Sequence, residues 1–158
     1  MRLTTMTDYA LRLLMYVAQH PDRLCTIAEV ATVYDISEAH LMKITHQLGL
    51  AGYIETVRGK GGGMRLAKPA AEINLGAVVR SVEPDFMLVE CMATANSCVL
   101  TGNCRLTGIF TVALQRFLAH LDDYCLADLA PPPGQSAASR GSRITFLPRQ
   151  RSRPASGD

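Results

Sequence analysis

Two short capped helical segments followed by a glycine-rich basic run leave few ways for residues 26 to 66 to fold. Thr26 offers an oxygen to the free N–H groups of a helix running to Tyr34, and Glu29 three residues later completes a capping box. Ile27, Val30 and Ala31 share one face of that helix. Asp35-Ile36-Ser37 is a tight connection. Ser37 caps the next helix, which reaches about Leu48 with Leu41, Ile44 and Leu48 spaced for a core. Gly49 and Gly52 are expected to stop it. Tyr53 to Val57 then alternates as a strand, and Met64-Arg65-Leu66 can return as a second. A helix-turn-helix followed by a hairpin with a basic tip is the pattern of a winged helix. Upstream, Thr4 to Gln19 reads as a first helix, with Leu11, Leu14, Met15 and Ala18 at helical spacing and Pro21 ending it.

Charge follows the same division. The chain carries 16 basic and 14 acidic side chains, a net +2 that does not by itself argue for nucleic acid. Residues 37–68 nevertheless hold Lys43, Arg58, Lys60, Arg65 and Lys68 against only Glu38 and Glu55. A local basic patch of this kind is what a DNA face needs. Arg58 to Gly63 is not a phosphate-binding P-loop, since no Gly-Lys-Ser/Thr follows a leading glycine at the required distance. It is either a plain flexible hairpin or a wing whose Arg58 and Lys60 meet phosphates or the minor groove. Ser37, His40 and Lys43, near the start of the third helix, would come within reach of base edges and phosphates in a major groove. The sequence shows no nucleophile–base pattern, nucleotide-binding glycine motif or histidine-rich metal motif, so an enzyme is not expected. The apolar run Leu13 to Ala18 is far below the ~20 residues of a membrane span, and Thr7 and Asp8 stand where a signal peptide would be apolar, which places the expected location in the cytoplasm.

Pro69 begins an expected linker, Leu75 to Glu83 a short helix closed by Pro84, and residues 85–103 read as irregular. Cys104 to Leu126 reads as one long helix with Leu106, Phe110, Ala113, Phe117 and Leu121 in an apolar stripe widened by Ile109, Leu114, Leu118 and Cys125. A helix so apolar in so small a chain points to the same helix of a second subunit, the alternative being packing within one chain. The expected fold is therefore mainly α: a winged helix-turn-helix domain with a long C-terminal dimerisation helix. Its parts are the DNA-binding domain 1–83, a loop 84–103, the helix 104–130 and a tail 131–158. The tail is rich in Pro, Ser, Gly and Arg and reads as disordered, either simply solvated or touching phosphates through its arginines.

Cys91, Cys98 and Cys104 are spaced Cys-x6-Cys-x5-Cys across the loop and into the long helix. This is neither the Cys-x2-Cys pair of structural zinc sites nor the tight ferredoxin run. Thiolates are soft ligands, and the spacing leaves open an iron–sulfur cluster, zinc, or redox thiols without metal. Cys25 and Cys125 read as small buried hydrophobes. Asp8 has Arg12 at i+4, which by itself is a surface ion pair.

Met1-Arg2-Leu3-Thr4 with Thr7-Asp8-Tyr9-Ala10-Leu11-Arg12 resembles the opening of the Rrf family of winged-helix regulators. So do His40-Leu41-Met42-Lys43-Ile44, Gly52-Tyr53-Ile54, Arg58-Gly59-Lys60-Gly61-Gly62 and Leu75-Gly76-Ala77-Val78-Val79-Arg80. Glu83-Pro84, the three-cysteine loop and the stretch from Leu121 to Leu129 are similar to the nitric-oxide-sensing repressors of that family. The likeness covers about residues 1–130 and implies a homodimer on a palindromic double-stranded DNA operator. It also implies an iron–sulfur cluster on Cys91, Cys98 and Cys104, of the 4Fe–4S rather than the 2Fe–2S type, with the partner subunit's Asp8 as fourth ligand and Arg12 beside it. Nitric oxide would be the signal, its reaction with the cluster releasing the operator. Cluster-biogenesis regulators of the family use a histidine three residues after the last cysteine, where this chain has Thr107. An iron- or cluster-status-responsive regulator of the same family and a metal-free thiol switch are the alternative readings.

Overall fold

Four polar side chains set the helix starts. Thr4, Thr26, Ser37 and Asn74 each accept a hydrogen bond from a backbone N–H in the first turn of the helix that follows. Those helices are α1 (Thr5–Ala18), α2 (Ile27–Tyr34), α3 (Glu38–Leu50) and α4 (Leu75–Val82). The capping box is complete: Glu29 N–H donates to Thr26 Oγ1 at 3.2 Å, and Thr26 N–H donates to Glu29 Oε2 at 2.9 Å. The computed structural model describes residues 2–93, 97–99 and 104–129; the tail 131–158 lies outside the described residues.

Strands β1 (Ile54–Val57) and β2 (Gly63–Leu66) pair antiparallel, Ile54 opposite Leu66 and Val57 opposite Gly63. Cys25 adds a bridge to Met64 on the far side, exchanging backbone hydrogen bonds of 2.9 and 2.8 Å, so the base of the wing is stitched to the α1–α2 connection. Gly59 and Gly61 turn the chain at φ +102° and +76°, conformations that side chains with a Cβ rarely adopt. The core is made by Ala10, Leu13, Leu14 and Val17 of α1 closing on Leu41, Ile44 and Leu48 of α3, with Met64 and Val78 completing it. Full burial of each such aliphatic contributes roughly 1.5–3 kcal/mol, and it makes α1 and α3 parts of one rigid unit.

The structure corrects three expectations. Gly49 does not stop α3; the helix continues to Leu50, and the chain turns at Gly52 with φ +73°. Residues 69–74 are not a free linker: Ala70–Glu72 forms a 3-10 turn, and Ile73 is fully buried. The long helix, α5, spans Arg105–Asp122 rather than running to Leu126. Its 18 residues extend about 27 Å. The chain then doubles back, because Asn74 Nδ2 donates to the carbonyls of Asp122 and Tyr124 and Leu126 N–H donates to the Ile73 carbonyl at 2.8 Å. A last 3-10 turn, Leu126–Leu129, puts Leu126 into the core of the winged-helix unit with no exposed surface. Arg80 forks onto Asp122 at 2.7 and 2.6 Å, and a side chain at Gly76 would collide with that carboxylate. The end of α5 is thus latched to α4. No helix among the described residues is long and apolar enough to cross a membrane.

Candidate nucleic-acid interface and cysteine segment

At the head of α3 the cap is also a side-chain clamp. Ser37 Oγ accepts from His40 N–H at 3.4 Å and lies 3.0 Å from His40 Nδ1, which fixes the imidazole over the first turn. His40 and Lys43 are exposed, as are Arg58 and Lys60 at the wing tip. Arg65 is paired across the hairpin with Glu55 at 3.0 Å. Among the described residues Lys43, Arg58 and Lys60 have no acidic partner, so their charge is free to meet phosphates. The ring of Tyr9 on α1 lies 6.3 Å from that of His40, a second link between the first helix and the head of α3 that spacing in the sequence does not reveal.

Asp8 and Arg12 form the expected i, i+4 pair at 2.9 Å and remain about half exposed, at 50% and 46%. The Arg12 guanidinium also lies 6.0 Å from the Tyr34 ring centre, which ties α1 to the end of α2. Burial pushes the Tyr34 hydroxyl and the Cys25 thiol up from their ordinary values. Cys25 is fully buried and Cys125 half-buried, its thiol donating to Asp128 Oδ2 at 3.1 Å.

Cys91 lies in the 3-10 turn Glu90–Met92, and Cys104 immediately precedes α5. Cys91, Cys98 and Cys104 are all half-buried. One tie fixes this segment to α5, and another closes the segment on itself. Cys91 Sγ is 3.0 Å from Thr107 Oγ1 in the first turn of the helix. The Glu90 carboxylate accepts from the N–H and hydroxyl of Ser97 at 3.1 and 2.8 Å, bonds that hold its pKa below the ordinary carboxylate range. The residues preceding Cys91 and Cys98 are therefore joined. Among the described residues no three His, Cys, Asp or Glu side chains converge as a metal site within one chain, and Asp8 is not brought to the cysteines. The donor set nonetheless fits an iron–sulfur cluster in its chemistry: three soft thiols, none fully buried, on a short segment beside a helix end.

The stripe on α5 is divided. Phe110, Leu114, Phe117, Leu118 and Leu121 are half-buried, whereas Leu106, Ile109 and Val112 are 50%, 63% and 47% exposed. Ile109 and Val112 line an open cleft of about 980 Å³ with Gly108, Ala113, Arg105 and Arg116. Contiguous exposed apolar surface of this kind marks an interaction face.

A clamped, cationic helix head and a basic wing on one rigid core describe a winged-helix transcriptional regulator, a protein that binds DNA. The chain belongs to the Rrf2 family: residues 3–132 match its model, described as an iron-dependent transcriptional regulator. The HTH-type transcriptional regulator NsrR of Halalkalibacterium halodurans is 50% identical over 131 residues, covering 82% of this chain and 90% of that protein. NsrR of Geobacillus kaustophilus is 51% identical, covering 82% and 89%. Like these relatives, the chain is a regulator and not an enzyme. Among solved structures, CymR, the global cysteine regulator of B. subtilis, superposes with a TM-score of 0.66 at 23% identity, covering 82% of this chain and 96% of its own. T. potens IscR gives 0.66 at 22% identity, covering 82% and 85%. At those identities the likeness is one of fold.

Proposed function

We propose that this chain is a homodimeric repressor of a palindromic operator whose three-cysteine segment holds an iron–sulfur cluster and whose signal is nitric oxide. The observation that carries the reading is the presence of two features in one fold: cations without acidic partners at the head of α3 and the wing tip, and a thiol segment tied to the first turn of α5. Ser37, His40 and Lys43 present the major-groove face; Arg58 and Lys60 contact phosphates or the minor groove. Leu106, Ile109 and Val112 supply the apolar seam on which two copies of α5 meet, which brings two α3 heads to the half-sites of a palindrome.

Cys91, Cys98 and Cys104 would hold the cluster, of the 4Fe–4S type, with the partner subunit's Asp8 as the remaining ligand. The half-exposed Asp8 carboxylate, oriented by Arg12, is accessible to a second chain. When bound, the cluster supplies iron that takes nitric oxide as a ligand, the reaction proposed to end operator binding. Asp8 lies on the helix that packs against α3, so holding or releasing that carboxylate bears directly on the DNA face. A swing in operator-competent population from 99:1 to 1:99 requires about 5.5 kcal/mol of differential. The matched family model is described as iron-dependent, and that observation favours iron or cluster status as the second reading of the signal.

The test is anaerobic purification, a visible spectrum, and anisotropy titration of a duplex selected from a random pool, with and without nitric oxide. A brown dimer that binds a palindrome and loses it on nitric oxide is expected. A colourless protein whose affinity ignores both iron and nitric oxide overturns the reading; a brown one that responds to iron removal alone replaces nitric oxide with iron.

A further inference from the structure

We infer that Glu83 is the positioning residue through which the cysteine segment acts on the DNA-reading helices. The inference rests on the proposed function, because it assigns the route by which that segment is felt at α3. Glu83 is the residue that ends α4, and Pro84 after it begins the segment that carries the cysteines. Glu83 is half-buried, and its carboxylate is turned onto the start of α1. Its two oxygens accept the Thr4 N–H at 3.1 and 3.2 Å, and one of them also accepts the Thr4 hydroxyl at 3.0 Å and the Thr7 hydroxyl. Thr7 is fully buried, one of two buried polar side chains among the described residues.

The first turn of a helix presents N–H groups without intrahelical partners and the positive end of the helix dipole. A carboxylate arriving from 79 residues away is thus a strong and directional fastening for α1. Beside it lies a cavity of about 260 Å³ bounded by Thr4, Glu83, Phe86 and Leu88 and by Leu114 and Phe117 of α5, so the residues that follow Glu83 are not close-packed against that helix. On the other side, α1 is packed through Leu13, Leu14 and Val17 onto the helices of the reading head, and Tyr9 touches His40. Asp8 is the residue after Thr7. A pull on segment 84–104 therefore reaches α1 at its first turn, and α3 through α1. A carboxylate serving only as a cap would change stability and leave the effect of the cluster on operator affinity as it was.

The experiment uses the full chain. Operator affinity is measured for the cluster-loaded and metal-free forms of the wild type and of Glu83→Gln, with iron and sulfide content and the visible spectrum of each. Amide exchange of residues 5–9 is followed in the metal-free protein. Glu83→Gln is expected to load the cluster with an unchanged spectrum and to bind DNA in its metal-free form as the wild type does. Its loaded-to-metal-free affinity ratio is expected to fall at least tenfold, and exchange in the first turn of α1 to rise by a similar factor. A large wild-type ratio retained within twofold in Glu83→Gln overturns the relay alone. A wild-type ratio near one overturns the proposed function and the relay with it. If Glu83→Gln does not fold, Thr7→Val, which removes one of the fastening bonds, is read by the same ratio, and a value within twofold of wild type refutes the role.

Discussion

Leu126→Ala tests the least expected feature of the fold, the return of the chain from α5 into the winged-helix core. Leu126 has no exposed surface, and its turn packs against α1 and the 70–72 turn. Its backbone is held by the 2.8 Å bond to the Ile73 carbonyl, so the surroundings cannot close in easily. Truncating a buried leucine costs roughly 2.7–5.0 kcal/mol as the residual cavity grows, and a pinned site of this kind should lose about 3–4 kcal/mol. With a urea slope of about 2 kcal/mol/M, the unfolding midpoint falls by about 1.5–2 M. Leu50→Ala, at a leucine 77% exposed, is the control and should stay within ~0.5 kcal/mol of wild type. A midpoint for Leu126→Ala within about 0.3 M of wild type, with dimer dissociation raised instead, would place Leu126 on the intersubunit seam and refute the argument.

Thr26→Ala removes the side-chain half of the α2 capping box and should cost about 1 kcal/mol in the same urea assay. Lys60→Ala should weaken every operator alike and reduce the slope of log affinity against log salt by about one; a loss confined to particular sequences would contradict a phosphate role. Acid should destabilise the fold. The Glu29 carboxyl is held low by the Thr26 N–H and then by Arg23, and Asp122 by Arg80. Groups whose folded pKa is depressed stabilise the protein above the ordinary carboxylate range, and that contribution is lost as pH falls through and below it. Urea midpoints at pH 7 and pH 3 should differ in that direction, and Arg80→Gln should shrink the difference.

Local chemistry makes much of this protein legible in its sequence. Helix starts at Thr4, Thr26 and Ser37, the core positions Leu41, Ile44 and Leu48, and the glycine wing all depend on neighbours in the chain, so spacing alone marks them. The exposed cations Lys43, Arg58 and Lys60 are legible for the same reason: no packing requirement competes with them.

What depends on residues far apart is not legible there. Periodicity continues the long helix to Leu126, since an apolar stripe looks the same whether it meets a second chain or its own core. The decision falls to Asn74, Arg80 and Ile73, whose bonds to Asp122, Tyr124 and Leu126 end α5 and turn the chain inward. Glu83 likewise looks like any polar helix end until the fold brings it to Thr4 and Thr7. The amino-acid order alone determined where helices begin, which faces are apolar and where positive charge gathers, because those properties act over one or two turns. Only the folded chain decided which ends are joined, because closing a loop of that length is repaid solely by contacts that the finished core provides.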